Sequence, residues 1–536
     1  MELEFPELPP GATMPPRFDR LVDYLAYNAT TRPDVEALVD GHERLTWSQA
    51  LARCDRYAAA LIGAGVRPGE RVAVWSVPRI DALLLYFACM RMGAVFVALD
   101  PRHSTEEATF ILGDAEPSIL FHISEFEGRD YLADLRSMKP GIATVALDTG
   151  PGSEFERLVE AGTGPESVEA LAEAAKPTDP VALVYTSGST GRPKGALITQ
   201  YGLAHNYWWM LSERHCEPFR MAAHSPMNHV AMLGDAVALS IVAGGTMIVF
   251  ERFDPLVVLA AIERESLTYI KGSPTHFLLL IEAAGEQPAF DLSSIQFLYS
   301  GGAAIPASLL DVLERWSPRV GSDYGMTEMI GSATYVRPGD TREQKLRTIG
   351  RPIGPYRTRV ADAAGVEPPD GEVGELQGHG PWQSPGYFRR DEATAELFTP
   401  DGWLRTGDLC RRRPDGFLEM AGRAKEMFKS GGYNVYPREV ELALEENPKV
   451  SMAVVVEIPD PRWSEVGVAF VAVTAGKATT PEELRAECRA RLANYKVPKQ
   501  VVILDEVPRL SVGKVDRKGL RARAREQFAP RTLPDA

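Results

Sequence analysis

The stretch Tyr185-Thr-Ser-Gly-Ser-Thr-Gly-Arg-Pro-Lys-Gly195 gathers three glycines, four serine or threonine hydroxyls and one lysine into a short loop. The apolar run Val181-Ala-Leu-Val184 leads directly into it and reads as a buried strand. Such a loop is built to hold polyphosphate. Glycines let backbone N–H groups converge on phosphate oxygens, hydroxyls add donors, and Lys194 adds positive charge. A P-loop kinase or GTPase would need Gly-x4-Gly-Lys-Ser/Thr, whereas Pro193 and Gly195 flank this lysine.

The strand-then-helix pattern extends on both sides of the loop. Leu51, Cys54, Ala58 and Leu61 fall at helical spacing, and Arg71-Val-Ala-Val-Trp75 and Gly93-Ala-Val-Phe-Val-Ala-Leu-Asp-Pro101 read as strands. The alternation runs to about residue 335 and implies parallel sheets covered by helices. From about 341 to 420 short strands with Gly and Pro turns predict a β-rich subdomain. After Gly422-Arg-Ala-Lys425 a new α+β pattern begins, with helices at 440–446 and 481–493 and strands at 452–458 and 468–473. The expected fold is α/β: a large N-terminal domain over residues 1–424 and a small C-terminal α+β domain over 425–536.

Further segments carry chemistry. In Tyr324-Gly-Met-Thr-Glu328 a carboxylate stands beside a hydroxyl, a pairing of hard oxygens that suits Mg2+. In Trp403-Leu-Arg-Thr-Gly-Asp408 the carboxylate can accept hydrogen bonds from both hydroxyls of a ribose, each worth roughly 1.5–3 kcal/mol; a plain β-turn is the competing reading. Gly422-Arg-Ala-Lys-Glu-Met-Phe-Lys-Ser-Gly-Gly-Tyr-Asn-Val-Tyr-Pro-Arg-Glu-Val440 and Pro508-Arg-Leu-Ser-Val-Gly-Lys-Val-Asp-Arg517 complete the set. Together with the loop, these segments resemble the adenylate-forming (AMP-binding) superfamily, which includes acyl-CoA synthetases, luciferases and the adenylation domains of peptide synthetases. The resemblance runs from about residue 20 to 520.

That resemblance implies roles. Thr186, Ser187, Gly188, Ser189, Thr190, Gly191 and Lys194 would hold ATP phosphates. Gly302, Ala303, Asp323, Tyr324, Gly325, Met326 and Thr327 would line the AMP site, with Tyr324 on adenine, Thr327 on phosphate and Glu328 on magnesium. Asp408 and Arg423 would hold ribose or phosphate. Lys514 would bridge the substrate carboxylate and the α-phosphate, although Val512 replaces the Ser or Thr usual two positions earlier. Lys425 falls at the hinge of a mobile C-terminal domain. His229, in Pro226-Met-Asn-His229, would gate an acyl pocket shared with Tyr207, Val230, Leu233, Asp235, Gly301, Gly302, Gly325 and Met326. This favours an apolar, aromatic or medium-chain acid, with helix core an equal explanation for the aliphatics. Asp235 either selects a polar or cationic group or faces solvent. A CoA tunnel would run past His229, Lys429, Ser430, Gly431, Gly432 and Tyr433, with a solvated turn as the alternative for Lys429.

The implied catalytic residues are thus Lys514, Thr186, Lys194, Glu328 and His229, with ATP, Mg2+ and coenzyme A as cofactors or co-substrates. The expected activity is conversion of a carboxylic acid to an acyl adenylate and then to an acyl-CoA thioester. Amide synthetases and carrier-protein ligases share the first half-reaction and remain alternatives; a catalytically inactive nucleotide sensor is the reading from another class. Composition fits a globular enzyme of 536 residues, 45% hydrophobic and 24% charged, in two or more domains. A net charge of −15 argues against nucleic acid as partner. Residues 424–536 carry +3, which leaves −18 on the rest. The five scattered cysteines make no C-x-x-C pair, and the acidic, proline-rich N-terminus lacks the features of a signal peptide. A cytoplasmic enzyme with no membrane span is expected, monomeric or homodimeric.

Overall fold

The run ahead of the glycine-rich loop is a strand, Pro180–Ser187, whose residues Val181 to Val184 are buried. It lies one place in from the edge of a six-stranded sheet. The order is Pro193–Thr199, Pro180–Ser187, Val95–Leu99, Arg71–Trp75, Ile119–His122 and Ala143–Ala146. Every neighbouring pair is parallel except the edge hairpin, in which Pro193–Thr199 runs antiparallel to Pro180–Ser187. The central strands carry near-continuous apolar runs, at 72–75, 95–99 and 181–184, as strands covered on both faces do.

This computed structural model describes residues 13–148, 150, 152–162, 165–187, 192–285, 290–431, 433–474, 476–509 and 515–528. The chain divides into two compact units. The first runs to Lys345 and includes Pro352–Arg357 and Gly378–Leu404; the second comprises Leu346–Arg351, Thr358–Gln377 and the chain from Arg405 onward.

The first unit holds a second large sheet beside the one just described. Six of its strands are parallel, in the order Glu36–Val39, Thr246–Val249, Arg220–Ala223, Tyr269–Gly272, Phe297–Gly301 and Val320–Met326. Gly331–Val336 continues the sheet antiparallel to Val320–Met326. Helix Gln200–Arg214 and the π-helix Ala231–Ala238 belong to this core, and nearly every side chain on both is buried. The helix expected from residue 45 onward is Trp47–Gly63, started by a capping box between Thr46 and Gln49 that satisfies two otherwise orphaned N–H groups.

In the second unit the β-rich region is a four-stranded sheet of Arg357–Ala361, Val373–His379, Leu404–Arg412 and Leu418–Arg423. The α+β part pairs Val450–Asp460 with Ser464–Val473, adds Gln500–Leu504 in parallel, and packs Pro437–Glu445 and Pro481–Arg491 beside a core that includes Val440, Leu444 and Leu484. Among the described residues no helix is long and apolar enough to cross a membrane.

Candidate active site

The edge hairpin sets the first part of the site. Its register puts Thr186 opposite Lys194 and Tyr185 opposite Gly195, so both ends of the glycine-rich loop are fixed by sheet hydrogen bonds. The Thr186 hydroxyl donates to the Lys194 carbonyl at 3.5 Å. A Cβ on Gly195 would lie 3.2 Å from the Tyr185 ring, which explains a glycine there. Gly188, Ser189, Thr190 and Gly191 lie outside the described residues, as does the side chain of Ser187.

A segment that the sequence reading passed over ties this hairpin to the acidic residue. Gly386–Phe388 runs along Pro193–Thr199: Leu197 N–H donates to the Gly386 carbonyl at 3.0 Å and Phe388 N–H to the Gly195 carbonyl at 2.8 Å. Tyr387 then points its hydroxyl at Glu328, donating to Oε1 at 2.6 Å, while Lys194 Nζ sits 5.3 Å from the centre of the same ring. Tyr387 thus meets a buried carboxylate with its hydroxyl and the lysine of the glycine-rich hairpin with its ring. Burial, and next the Glu328 charge, push the phenol far above its ordinary value, so it remains a donor. The signal in the sequence was only Gly386-Tyr387 after Pro385, which reads as a turn.

Glu328 and its neighbours sit where a parallel α/β sheet places ligands, at the carboxyl ends of the strands. Phe297–Gly301 ends in Gly301, followed by exposed Gly302 and Ala303; Val320–Met326 ends in Tyr324, Gly325 and Met326, followed by Thr327 and Glu328. Gly302 has φ +81°, a conformation costly for any residue with a Cβ. Gly325 approaches the antiparallel strand so closely that a Cβ would fall 2.0 Å from the Gly331 carbonyl oxygen. The Thr327 hydroxyl and Glu328 carboxylate are hard oxygen donors of the kind Mg2+ takes.

The acyl-pocket candidates cluster in the same unit. His229 N–H donates to the Pro226 carbonyl, and its own carbonyl accepts from Met232 and Leu233 N–H at 3.0 and 3.1 Å, starting the π-helix. Val230 is half-buried and Leu233 buried. Of the two readings for Asp235, solvent is not the outcome. Its carboxylate is buried, paired with Lys271 Nζ at 2.7 Å, and accepts from the Tyr207 hydroxyl at 3.2 Å. Asp323 is also occupied, by Lys271 at 2.6 Å, Arg214 at 2.9 Å and the Ser332 hydroxyl at 2.7 Å. Arg214 is fully buried between the rings of Tyr299 and Tyr335. Burial raises Asp235, against the pull of Lys271; for Asp323 burial is outweighed by Lys271 and Arg214, and its carboxyl stays below the usual range.

In the second unit Asp408 and Arg423 are cross-strand partners, with Arg423 Nε 3.2 Å from Asp408 Oδ1. Phe428–Ser430 and Tyr433–Val435 form a hairpin in which Ser430 is buried and Lys429 exposed. Gly431, at φ +60°, packs against Trp463, and Tyr433 stacks on Tyr495 at 4.7 Å. Lys425 lies in the turn between Leu418–Arg423 and Phe428–Ser430. Gly432 and Lys514 fall outside the described residues.

The first unit thus carries a hairpin with a lysine at its base, a tethered buried carboxylate and open glycines at strand ends on an α/β frame. The chain belongs to the AMP-binding enzyme family: the model of that family matches residues 25–388, and that of the AMP-binding enzyme C-terminal domain matches residues 439–514. It is 37% identical to a feruloyl-CoA synthase of Amycolatopsis sp. over 92% of this chain and 97% of the relative. It is 35% identical to the 3-[(3aS,4S,7aS)-7a-methyl-1,5-dioxo-octahydro-1H-inden-4-yl]propanoyl:CoA ligase of Mycobacterium tuberculosis, over 95% of this chain and 98% of that one. The crystal structure of ATP-bound MatB from Rhodopseudomonas palustris superposes with a TM-score of 0.83 at 26% identity, covering 94% of this chain and 99% of that one.

Proposed function

We propose that the chain is an AMP-forming acid–CoA ligase whose acid carries a ring. The observation that carries the adenylation chemistry is the Lys194–Tyr387–Glu328 assembly at the base of the glycine-rich loop. The named acyl groups of the two relatives, one aromatic and one a fused bicycle, support a ring-bearing acid.

In the first half-reaction a carboxylate oxygen of the acid attacks the α-phosphorus of ATP, the P–O bond to the β-phosphate breaks, and pyrophosphate leaves. Two anions must meet; two unit charges 4 Å apart repel by about 4 kcal/mol at an effective dielectric near 20. Lys194 and the loop N–H groups offset the charge of the leaving phosphates, and Lys514 serves the α-phosphate and the incoming carboxylate. Mg2+ held by Glu328, when bound, neutralises phosphate oxygens. In the second half-reaction the CoA sulfur, its proton lost, attacks the acyl carbon and AMP departs. Lys514 acts in the first step only: the C-terminal domain turns about Lys425 and presents the face that carries Gly431 and Gly432 for the second. Five buried, free thiols support a reducing, cytoplasmic setting.

The test is pyrophosphate release from Mg-ATP across aliphatic, aromatic and alicyclic acids, with and without CoA. Release that rises with CoA for ring-bearing acids is expected. Release indifferent to CoA would shift the acceptor to an amine or a carrier protein, and no release with any acid would sink the ligase reading.

A further inference from the structure

Four charged side chains lie together under the strand ends: Asp235, Lys271, Asp323 and Arg214. Burying them is a poor way to stabilise a fold, because removing charges from water costs several kcal/mol per ion and apolar residues of similar volume do as well or better. Lys271 is the member with spare capacity. Its ammonium has three hydrogens; Asp235 and Asp323 take two, and among the described residues the third has no acceptor. Its side chain remains 11% exposed. The strand Tyr269–Gly272 places it next to Phe297–Gly301, and a Cβ built on Gly301 would lie 3.5 Å from Lys271 Cε. The same Cβ would fall 2.5 Å from Asp323 Oδ1, so the charge cluster itself requires a glycine at 301, and the lysine arm lies beside the strand end that the proposed acyl pocket uses. Asp235 comes from the π-helix that starts beside His229, and such helices often mark functional sites.

We propose that Lys271 is a specificity residue that donates its third hydrogen to an oxygen on the acid, a ketone or hydroxyl carried at the end remote from the carboxylate. The inference rests on the acid–CoA ligase reading and narrows its substrate class to ring acids bearing such an oxygen. Asp235 and Asp323 hold the ammonium charged and aimed, and Tyr207 fixes Asp235 in turn. A site built to hydrogen-bond its substrate rejects the analogue that lacks the partner, because the buried donor is then left unpaired.

The experiment uses matched acid pairs, 3-(4-oxocyclohexyl)propanoate against 3-cyclohexylpropanoate and 4-hydroxycinnamate against cinnamate, with pyrophosphate release as readout on the full chain. The wild-type protein should prefer the oxygenated member of at least one pair by roughly 10- to 100-fold in kcat/KM, the range expected for one hydrogen bond from a charged donor. In the double variant Lys271→Met/Asp235→Asn, which removes the cation together with the anion it would leave unpaired, the preference should fall to within about threefold while KM for ATP stays put. Release without preference in the wild type overturns the inference and spares the ligase reading. A preference that survives the double variant also overturns it. No release with any acid overturns the ligase reading and this inference with it. The wild-type comparison stands even if the variant does not fold.

Discussion

Acidification should destabilise the first unit through two histidines. His224 is buried at the end of Arg220–Ala223, its Nε2 donating to the Lys271 carbonyl at 3.0 Å, with the rings of His276 and Phe253 each 4.9 Å away. Burial, with His276 as a second cause, pulls it from 6.5 to about 3; burial pulls His276 from 6.5 to about 4. Both folded values lie below the unfolded one. Between them the unfolded chain binds more protons, so the stability is present above the unfolded value and drains away as pH falls toward the folded values. At about pH 5 each site is about 1.5 units below its unfolded pKa and still neutral when folded. At 1.36 kcal/mol per unit that is about 2 kcal/mol per histidine, or about 4 kcal/mol for the pair, relative to about pH 7.5.

Carboxylates titrate in the same range, so the measurement must isolate the histidines. His276 caps its helix by accepting the Ser273 N–H, and glutamine serves in that position too, so His276→Gln keeps the cap. His224→Gln retains an N–H donor for the Lys271 carbonyl. Urea denaturation of wild type and the double glutamine variant, at about pH 7.5 and about pH 5, gives the difference directly. The wild type should lose about 4 kcal/mol more than the variant. Parallel losses in the two proteins would refute the reasoning.

Three further outcomes bear on the chemistry. Tyr387→Phe removes the O–H that holds Glu328 and should slow pyrophosphate release by roughly 10-fold while raising the Mg2+ concentration needed for half-maximal rate; an unmoved Mg2+ dependence would leave Tyr387 a packing residue. Lys514→Ala should slow adenylation on the order of 10²–10³-fold and affect thioester formation from preformed acyl adenylate far less, and equal damage to both steps would refute the two-arrangement scheme. Lys425→Pro should do the converse by fixing φ at the pivot; unchanged overall turnover would move the pivot elsewhere.

The frame was legible because its signals are local. Val181 to Val184 are apolar without interruption, as a strand covered on both faces requires, and the alternation around them implied the parallel sheets that are seen. Arg71–Trp75 matches residue for residue, while Met452–Ile458 grew to Val450–Asp460 because hairpin pairing extends a strand past its apolar stretch. The glycine-rich loop announced itself by composition. What stayed hidden depends on contacts between segments far apart in the chain. Tyr387 reaches Glu328 across 59 positions, and nothing near Gly386-Tyr387 indicates an acidic partner.

The charge cluster left a faint trace that a physical argument could have used. Asp235 stands in the apolar run Ala231–Ala238, and Lys271 in Tyr-Ile-Lys-Gly at a strand end. A lone charge inside a buried element is tolerable only with a partner, so one such residue predicts another of opposite sign. The sequence contains both, 36 positions apart, but only the tertiary packing that brings the π-helix Ala231–Ala238 against the end of Tyr269–Gly272 shows them meeting. The same logic separates Lys271 from Arg214. The arginine's guanidinium is enclosed by two tyrosine rings with no exposure and donates to Asp323 and the Tyr269 hydroxyl within the core, whereas the lysine keeps an open side.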